Sequence, residues 1–123
     1  MYVLDTSALF EILDQTMKGK KIMELIGSEV AAITSFSIYE ALVGASEKDS
    51  FIIKNIKNTM EVISFDQDSA ERSSAIEKDL IKRGTLINNV DIFIAGSCLS
   101  RDATVVTLDN DFKRVPGIKI LSL

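Results

Sequence analysis

Four carboxylates lie where this chain otherwise places apolar side chains. Asp5 ends the apolar run MYVL, and Asp109 follows ATVVTL. Asp91 begins the stretch DIFIAGSCL, and Glu40 lies within SFSIYEALVG. A buried carboxylate needs a cation or hydrogen-bond donors beside it. Because the chain has no histidine, the chemistry that this pattern favours is a hard metal ion such as Mg²⁺ held by oxygen ligands.

The absence of histidine also removes several other kinds of site. Ser-His-Asp hydrolysis, histidine-based ribonuclease chemistry and most zinc sites all need an imidazole. The one cysteine, Cys98, excludes an intramolecular disulfide and any CxxC motif. Its setting, AGSCLS, is typical of core packing, and we expect a reduced, cytoplasmic protein.

Composition indicates one globular domain spanning residues 1–123, with 46% hydrophobic and 26% charged residues. The apolar runs are too short to span a bilayer, and the start MYVLDTS lacks the basic segment of a signal peptide. The net charge of −4 argues at first against a nucleic-acid partner. Four metal-bound carboxylates would account for that whole excess, so charge neither supports nor excludes nucleic acid.

Apolar runs alternate along the chain with longer amphipathic stretches. Five strands are predicted, at 2–4, 30–34, 61–65, 104–108 and 118–121. Helices are predicted at 8–27 (as one or two helices), 35–44, 48–59, 69–83 and 91–101. Ser35 and Asp68 are the expected N-caps, and Gly44 and Gly84 the expected C-terminal stops. Strands separated by helices predict a three-layer α/β/α sandwich around a central, mostly parallel five-stranded sheet.

This architecture brings the four acids together. Asp5 and Asp109 directly follow strands, and ligands of open parallel sheets bind beyond the carboxyl ends of the strands. Asp91 begins a helix on the same side, where the helix dipole favours a negative charge. Glu40, within an apolar helix, has no capping role and is therefore the most informative of the four. Asp109 shares the segment TLDNDF with Asp111, and either acid can serve the site.

Four motifs make the chain resemble the PIN-domain nucleases, and most closely the VapC-type toxins of prokaryotic toxin–antitoxin pairs. They are DTSAL at 5–9, SFSIYEALVG at 35–44, NNVDIFIAG at 88–96 and VVTLDNDFKRVPGIKIL at 105–121. Singly the first two motifs are weak, but their order and spacing together are specific. The resemblance covers essentially the whole chain and implies a PIN-like fold.

The resemblance also implies a site and its partners. The implied catalytic acids are Asp5, Glu40, Asp91, Asp109 and, as an accessory, Asp111. The small hydroxyl residues expected to orient the carboxylates are Thr6, Ser7 and Thr107. We expect Asp5 and Asp91 to be the principal ligands of Mg²⁺ or Mn²⁺, with Asp109 and Glu40 completing the shell. The implied substrate is RNA, cleaved at its phosphodiesters, and the implied partners are a cognate antitoxin and a second copy of the chain, with no membrane involved.

Four alternatives remain open at this point. A phosphoryl-accepting receiver domain needs paired acids after strand one and a lysine beyond the last strand, whereas here Asp5 stands alone and Lys119 lies within the strand; Asp66 does follow strand three. A haloacid-dehalogenase phosphatase requires DxD, where this chain has DTS. A solitary RNA-processing nuclease would differ from a toxin only in lacking an antitoxin. A non-catalytic interaction module is disfavoured by the full set of acids.

Overall fold

A five-stranded parallel sheet forms the centre of the computed structural model, which describes all 123 residues. Its strands are β1 (Tyr2–Leu4), β2 (Ala31–Thr34), β3 (Glu61–Ile63), β4 (Thr104–Thr107) and β5 (Lys119–Ser122). They lie in the order β3-β2-β1-β4-β5, and every pair is parallel. The predicted sheet is confirmed, with no antiparallel strand.

Helices supply the connections that parallel strands require. They are α1 (Thr6–Leu13), α2 (Met17–Ile26), α3 (Ser35–Val43), α4 (Glu47–Thr59), α5 (Gln67–Lys82) and α6 (Asn89–Ser100). A short 3₁₀ helix, Asn110–Arg114, follows β4. The stretch predicted as one or two helices is two, because Gln15 adopts a φ of 54° and breaks the run. None of the helices is long and apolar enough to cross a membrane.

Successive strand residues point to opposite faces of the sheet and build two cores. Val3 and Val105 belong to the core covered by α5 and α6, whereas Leu4 and Val106 belong to the core covered by α1 to α4. The expected three layers are therefore present. Cys98 is fully buried in the first core, and burial raises the pKa of its thiol to about 12, in keeping with the predicted packing role.

Both predicted N-caps are displaced by one or two residues. Thr34, not Ser35, caps α3, and its Oγ1 accepts a hydrogen bond from the backbone N–H of Ser37 at 3.2 Å. Asp66, not Asp68, caps α5 and accepts from the backbone N–H of Ser69 at 2.8 Å. The helices begin at Ser35 and at Gln67, so both predicted caps are already helical.

Strand order decides against the receiver alternative. Receiver domains arrange their strands in the order 2-1-3-4-5, whereas this sheet has the order 3-2-1-4-5. Asp66, which would have to accept the phosphoryl group, is the cap of α5. Lys119 pairs with Asp102 at 2.8 Å, so the receiver interpretation is wrong.

Candidate active site

The sheet edge formed by the carboxyl ends of the strands carries all five of the acids expected from the sequence. Asp5 directly follows β1, and Asp109 lies two residues beyond β4. Asp91 is in the first turn of α6, and Asp111 is in the first turn of the 3₁₀ helix. Glu40 lies on α3, which begins directly after β2. The parallel strands end at one edge, and this topology brings residues from distant parts of the sequence together.

Asp5 is buried, with 2% of its surface exposed, and hydrogen bonds hold both of its oxygens. Oδ1 accepts from the backbone N–H of Ala8 at 2.8 Å and from Ser7 Oγ at 2.7 Å. Oδ2 accepts from Thr107 Oγ1. Burial raises the pKa of Asp5 while these donors oppose the rise. Asp5 is therefore both the N-cap of α1 and a member of the acid site.

Two hydroxyl groups connect Asp5 to the end of β4. Ser7 Oγ, which donates to Asp5, accepts from the backbone N–H of Leu108 at 3.1 Å. Thr107 Oγ1, which also donates to Asp5, accepts from the backbone N–H of Asp109 at 2.8 Å. These are the contacts that orienting residues would make. They fix the carboxylate of Asp5 relative to the segment that carries Asp109.

A second set of hydroxyls surrounds Glu40. Thr6 Oγ1 lies 2.5 Å from Glu40 Oε1 and 3.2 Å from Ser37 Oγ, and Ser37 Oγ lies 3.4 Å from Thr34 Oγ1. Ser37 and Thr34 are buried and were not among the residues expected from the sequence. The signal was the spacing, because Ser37 precedes Glu40 by three residues and so shares its helix face. Glu40 Oε2 accepts no hydrogen bond from the protein and remains available.

Asp91 has surroundings unlike those of Asp5. Its half-buried carboxylate accepts no hydrogen bond from the protein, while oxygens of Asp91, Asp109 and Asp111 lie within 4.8 Å of one another. Burial raises the pKa of Asp91 to about 7, and the negative charges of Asp109, Asp5, Glu40 and Asp111 add to the rise. When this carboxylate is ionised, no protein group neutralises its charge.

Comparison with known proteins gives the family. The PIN domain model matches residues 2–118. The chain belongs to the PIN-domain family. This PIN domain is 29% identical to the tRNA(fMet)-specific endonuclease VapC of Salmonella typhimurium over 126 residues, covering 97% of the chain and 95% of the relative. It is also 29% identical to ribonuclease VapC1 of Methanocaldococcus jannaschii over 122 residues, covering 96% of the chain and 85% of the relative.

Comparison with a solved structure supports the same family. The PIN domain superposes on DNA-bound VapBC from Salmonella typhimurium with a TM-score of 0.86 at 27% identity, covering 98% of this chain and 96% of that one. The resemblance that the four motifs indicated is thus confirmed for the family and for the fold.

The three carboxylates of this PIN domain that lie closest to one another are not the set expected to be the principal ligands. Asp111, expected to be an accessory, joins Asp91 and Asp109 in the closest group. Asp5, expected to be a principal ligand, lies outside that trio and is held by three hydrogen bonds. Its charge nevertheless raises the pKa of Asp91, as does that of Glu40. The negative charges of Asp5 and Glu40 therefore act on the trio, although neither residue belongs to it.

The donor set of this PIN domain fits a hard divalent cation. Every candidate ligand is a carboxylate oxygen, as Mg²⁺ and Mn²⁺ prefer. Arg114 forms an ion pair with one member of the group, its guanidinium lying 3.7 Å from Asp111 Oδ1. Asp91 has neither a cation nor a donor of its own, although it is half buried. A bound cation would remove the unfavourable charge that its raised pKa reveals.

Proposed function

We propose that this PIN domain is a metal-dependent endoribonuclease and the toxin of a VapBC-type toxin–antitoxin pair. The observation that carries the proposal is the half-buried Asp91, without any donor, amid four other carboxylates at the sheet edge. Such a cluster suits phosphodiester hydrolysis without histidine. The relatives named as endonuclease and ribonuclease, at 29% identity over nearly the whole chain, support the same reaction.

Mg²⁺ or Mn²⁺ is the proposed cofactor. Asp91, Asp109 and Asp111 would hold it, with Asp5 and Glu40 beside them. When bound, such an ion supplies charge neutralisation at the phosphate and a more acidic water. This assignment keeps the four acids expected from the sequence and gives Asp111 a direct role instead of an accessory one.

The remaining steps belong to the protein itself. Asp5 is fixed by Ser7 and Thr107, so its negative charge stays in place without reorganisation during the reaction. Glu40 is oriented through Oε1 by Thr6, which leaves Oε2 to accept a hydrogen bond from the attacking water. Glu40 Oε2 is therefore the proposed acceptor of the proton that this water loses.

The test is cleavage of total bacterial RNA with Mg²⁺, with Mn²⁺ and with EDTA. Asp91→Asn should abolish cleavage, and EDTA should do the same to the unaltered protein. Asp68→Asn is the matched control, because Asp68 is half exposed and pairs only with Arg72 at 3.5 Å. Cleavage that persists in EDTA and in the Asp91→Asn variant would refute the mechanism.

A groove between α1, α3 and α4 is the proposed antitoxin surface. It has a volume of about 310 Å³ and is lined in part by Phe10, Leu13, Ala41 and Ile53. Phe10 is 41% exposed, so part of its ring is free to contact a partner. The solved structure of DNA-bound VapBC is similar to this chain and supports an antitoxin as the partner.

Co-expression with the product of a neighbouring short reading frame tests this assignment. Phe10→Ala should weaken co-purification and leave RNA cleavage intact. Ile81→Ala, on the opposite layer and 58% exposed, is the control and should change neither. If no neighbouring product binds the unaltered protein, the solitary RNA-processing nuclease becomes the better description. Light scattering of the purified chain tests the expected homodimer separately.

A further inference from the structure

Three phenylalanine rings form a cluster beside the acid site. Phe36 lies 5.3 Å from Phe65 and 5.1 Å from Phe93 between ring centroids, and Phe65 lies 5.1 Å from Phe93. Phe36 is in the first turn of α3, Phe65 follows β3, and Phe93 is two residues beyond Asp91. The cluster therefore occupies the same sheet edge as the acids, on the β3 side. Strands are spaced by about 4.8 Å, so β3 is only about 10 Å from β1.

This cluster is not part of either hydrophobic core. None of the three rings belongs to the two buried groups or to the apolar residues packed on them, and Phe65 is 37% exposed. Aromatic side chains grouped outside a core and next to acid residues suggest contact with a ligand.

A cavity of about 240 Å³ opens beside the cluster, between α5 and α6. Phe65 and Phe93 form its aromatic side, together with Ile92, and Ser74 and Glu77 form its polar side. Neither Ser74 nor Glu77 makes a side-chain hydrogen bond or an ion pair within the protein. The volume is smaller than the roughly 300–1,000 Å³ of a drug-sized pocket, so the cavity suits a single ring system.

We infer that this cavity binds one unpaired nucleobase of the RNA substrate beside the scissile phosphate. The inference rests on the proposed ribonuclease function and identifies residues that select its substrate. The base stacks on Phe65 and Phe93, as unpaired bases stack on aromatic side chains in RNA-binding proteins. The carboxylate of Glu77 accepts a hydrogen bond from the amino edge of the base, which favours bases that carry an exocyclic amino group over uracil.

The position of the cavity explains why the base would be next to the cut. Phe36 precedes Glu40 by four residues and shares its face of α3. The ring of Phe36 packs on Phe65 and Phe93, so the aromatic wall borders the acid site on the Glu40 side. A phosphate held at the acids places a neighbouring nucleotide at the cluster. Because stacking requires an exposed base face, single-stranded RNA is the form that fits.

The experiment compares two substrates and four variants in Mg²⁺. One substrate is an RNA pool with a randomised single-stranded window, whose cleaved ends are sequenced. The other is bis(p-nitrophenyl) phosphate, a diester without bases. The test variants are Phe65→Ala and Glu77→Gln. Their matched controls are Phe51→Ala, 66% exposed on α4, and Glu71→Gln, which is exposed on α5 and bonded only to Gln67.

We expect Phe65→Ala to lower RNA cleavage about tenfold more than cleavage of the base-free diester, since one stacked base is lost. Glu77→Gln should remove a preference for amino-bearing bases at one position next to the cut, a preference that both control variants retain. Equal losses on the two substrates, or an unchanged base preference in Glu77→Gln, would overturn the inference. Failure of the unaltered protein to cleave either substrate would instead refute the proposed function itself.

Discussion

Asp5 and Asp91 have the same side chain and lie in the same site, yet their surroundings differ. Asp5 is almost completely buried and both of its oxygens accept hydrogen bonds. Asp91 is half buried and accepts none, and its pKa is about 7. Hydrogen bonds from the folded protein partly offset the cost of ionising Asp5, whereas no hydrogen bond offsets that cost for Asp91. In the proposed mechanism, Asp5 is therefore the carboxylate that the fold holds in position, and Asp91 is a carboxylate that binds the cation.

The raised pKa of Asp91 predicts how stability depends on pH in the metal-free protein. The pKa rises from 3.8 to about 7 on folding, so the protonated side chain is favoured in the folded state. This contribution is fully present below about pH 4 and is lost as the pH rises through 7. In EDTA, urea unfolding should give a lower free energy of unfolding at pH 8 than at pH 5.

Asp91→Asn is the control for this pH dependence. The variant cannot ionise at position 91, so its stability should fall less between pH 5 and pH 8. A smaller slope remains, because the pKa of Asp5 is also raised. An unchanged slope in Asp91→Asn would show that Asp91 does not carry the effect.

Thr107→Val tests the hydroxyl that connects Asp5 to β4. The variant keeps the shape of the side chain but removes the donor to Asp5 and the acceptor for the N–H of Asp109. RNA cleavage should fall by roughly 10–100-fold, as when groups that orient metal ligands are removed. Thr104→Val, on the same strand and without a side-chain hydrogen bond, should cleave RNA as the unaltered protein does. Equal activity of the two variants would contradict the positioning role.

Single residues differed in how well they could be predicted. The acids were recognisable because a charge at the end of an apolar run is unusual, and the structure places all five at one edge. The hydroxyls of Ser37 and Thr34 were missed, because serine and threonine are common at helix starts for capping alone. The cluster of Phe36, Phe65 and Phe93 was also missed, because no local periodicity connects rings about 30 residues apart.

At the scale of elements, α5 and α6 share the most extensive contact of any pair. A Cβ on Gly96 of α6 would lie 2.0 Å from Ser73 Oγ and 2.8 Å from the backbone oxygen of Ser69 on α5. Only a residue without a side chain allows the backbones to approach so closely. This contact determines where α6 lies over the sheet, and therefore where Asp91 and the wall of the base cavity lie.

Gly96→Ala should therefore destabilise the protein by about 1–3 kcal/mol or more, the usual cost of overpacking. Thermal unfolding measures this. Gly44→Ala is the matched control, because a Cβ there meets nothing within 4 Å and the φ of −98° suits alanine. Equal melting temperatures for the two variants would show that α5 and α6 can separate without loss.

The order and type of the elements were predictable, and their ends less so. Alternation of apolar runs with amphipathic stretches gave the five strands and the helices between them, because each pattern has its own period. The caps of α3 and α5 were misplaced by one and two residues. Adjacent polar residues occupy the start of each of these two helices, and only the backbone conformation decides which of them is the N-cap.

At the scale of the whole molecule, binding of Mg²⁺ and stability should be coupled. A cation that binds the folded acid site and not the unfolded chain stabilises by about 2.7 kcal/mol at a concentration 100 times its Kd. The melting temperature should rise by several degrees as Mg²⁺ is added. Asp68→Asn should keep this rise and Asp91→Asn should lose it. A rise that survives in Asp91→Asn would place the cation elsewhere.

The hydrogen bond between Thr107 and Asp5 joins residues 102 positions apart, and this separation sets when the site can form. Nothing made before residues 104–111 can complete the acid cluster, because β4 and the 3₁₀ helix carry its last members. Pairing across such a long chain segment is also a slow step of folding. Under the proposed function, a growing polypeptide therefore cannot yet cleave the RNA around it. During refolding from urea, cleavage should appear only with the slowest phase.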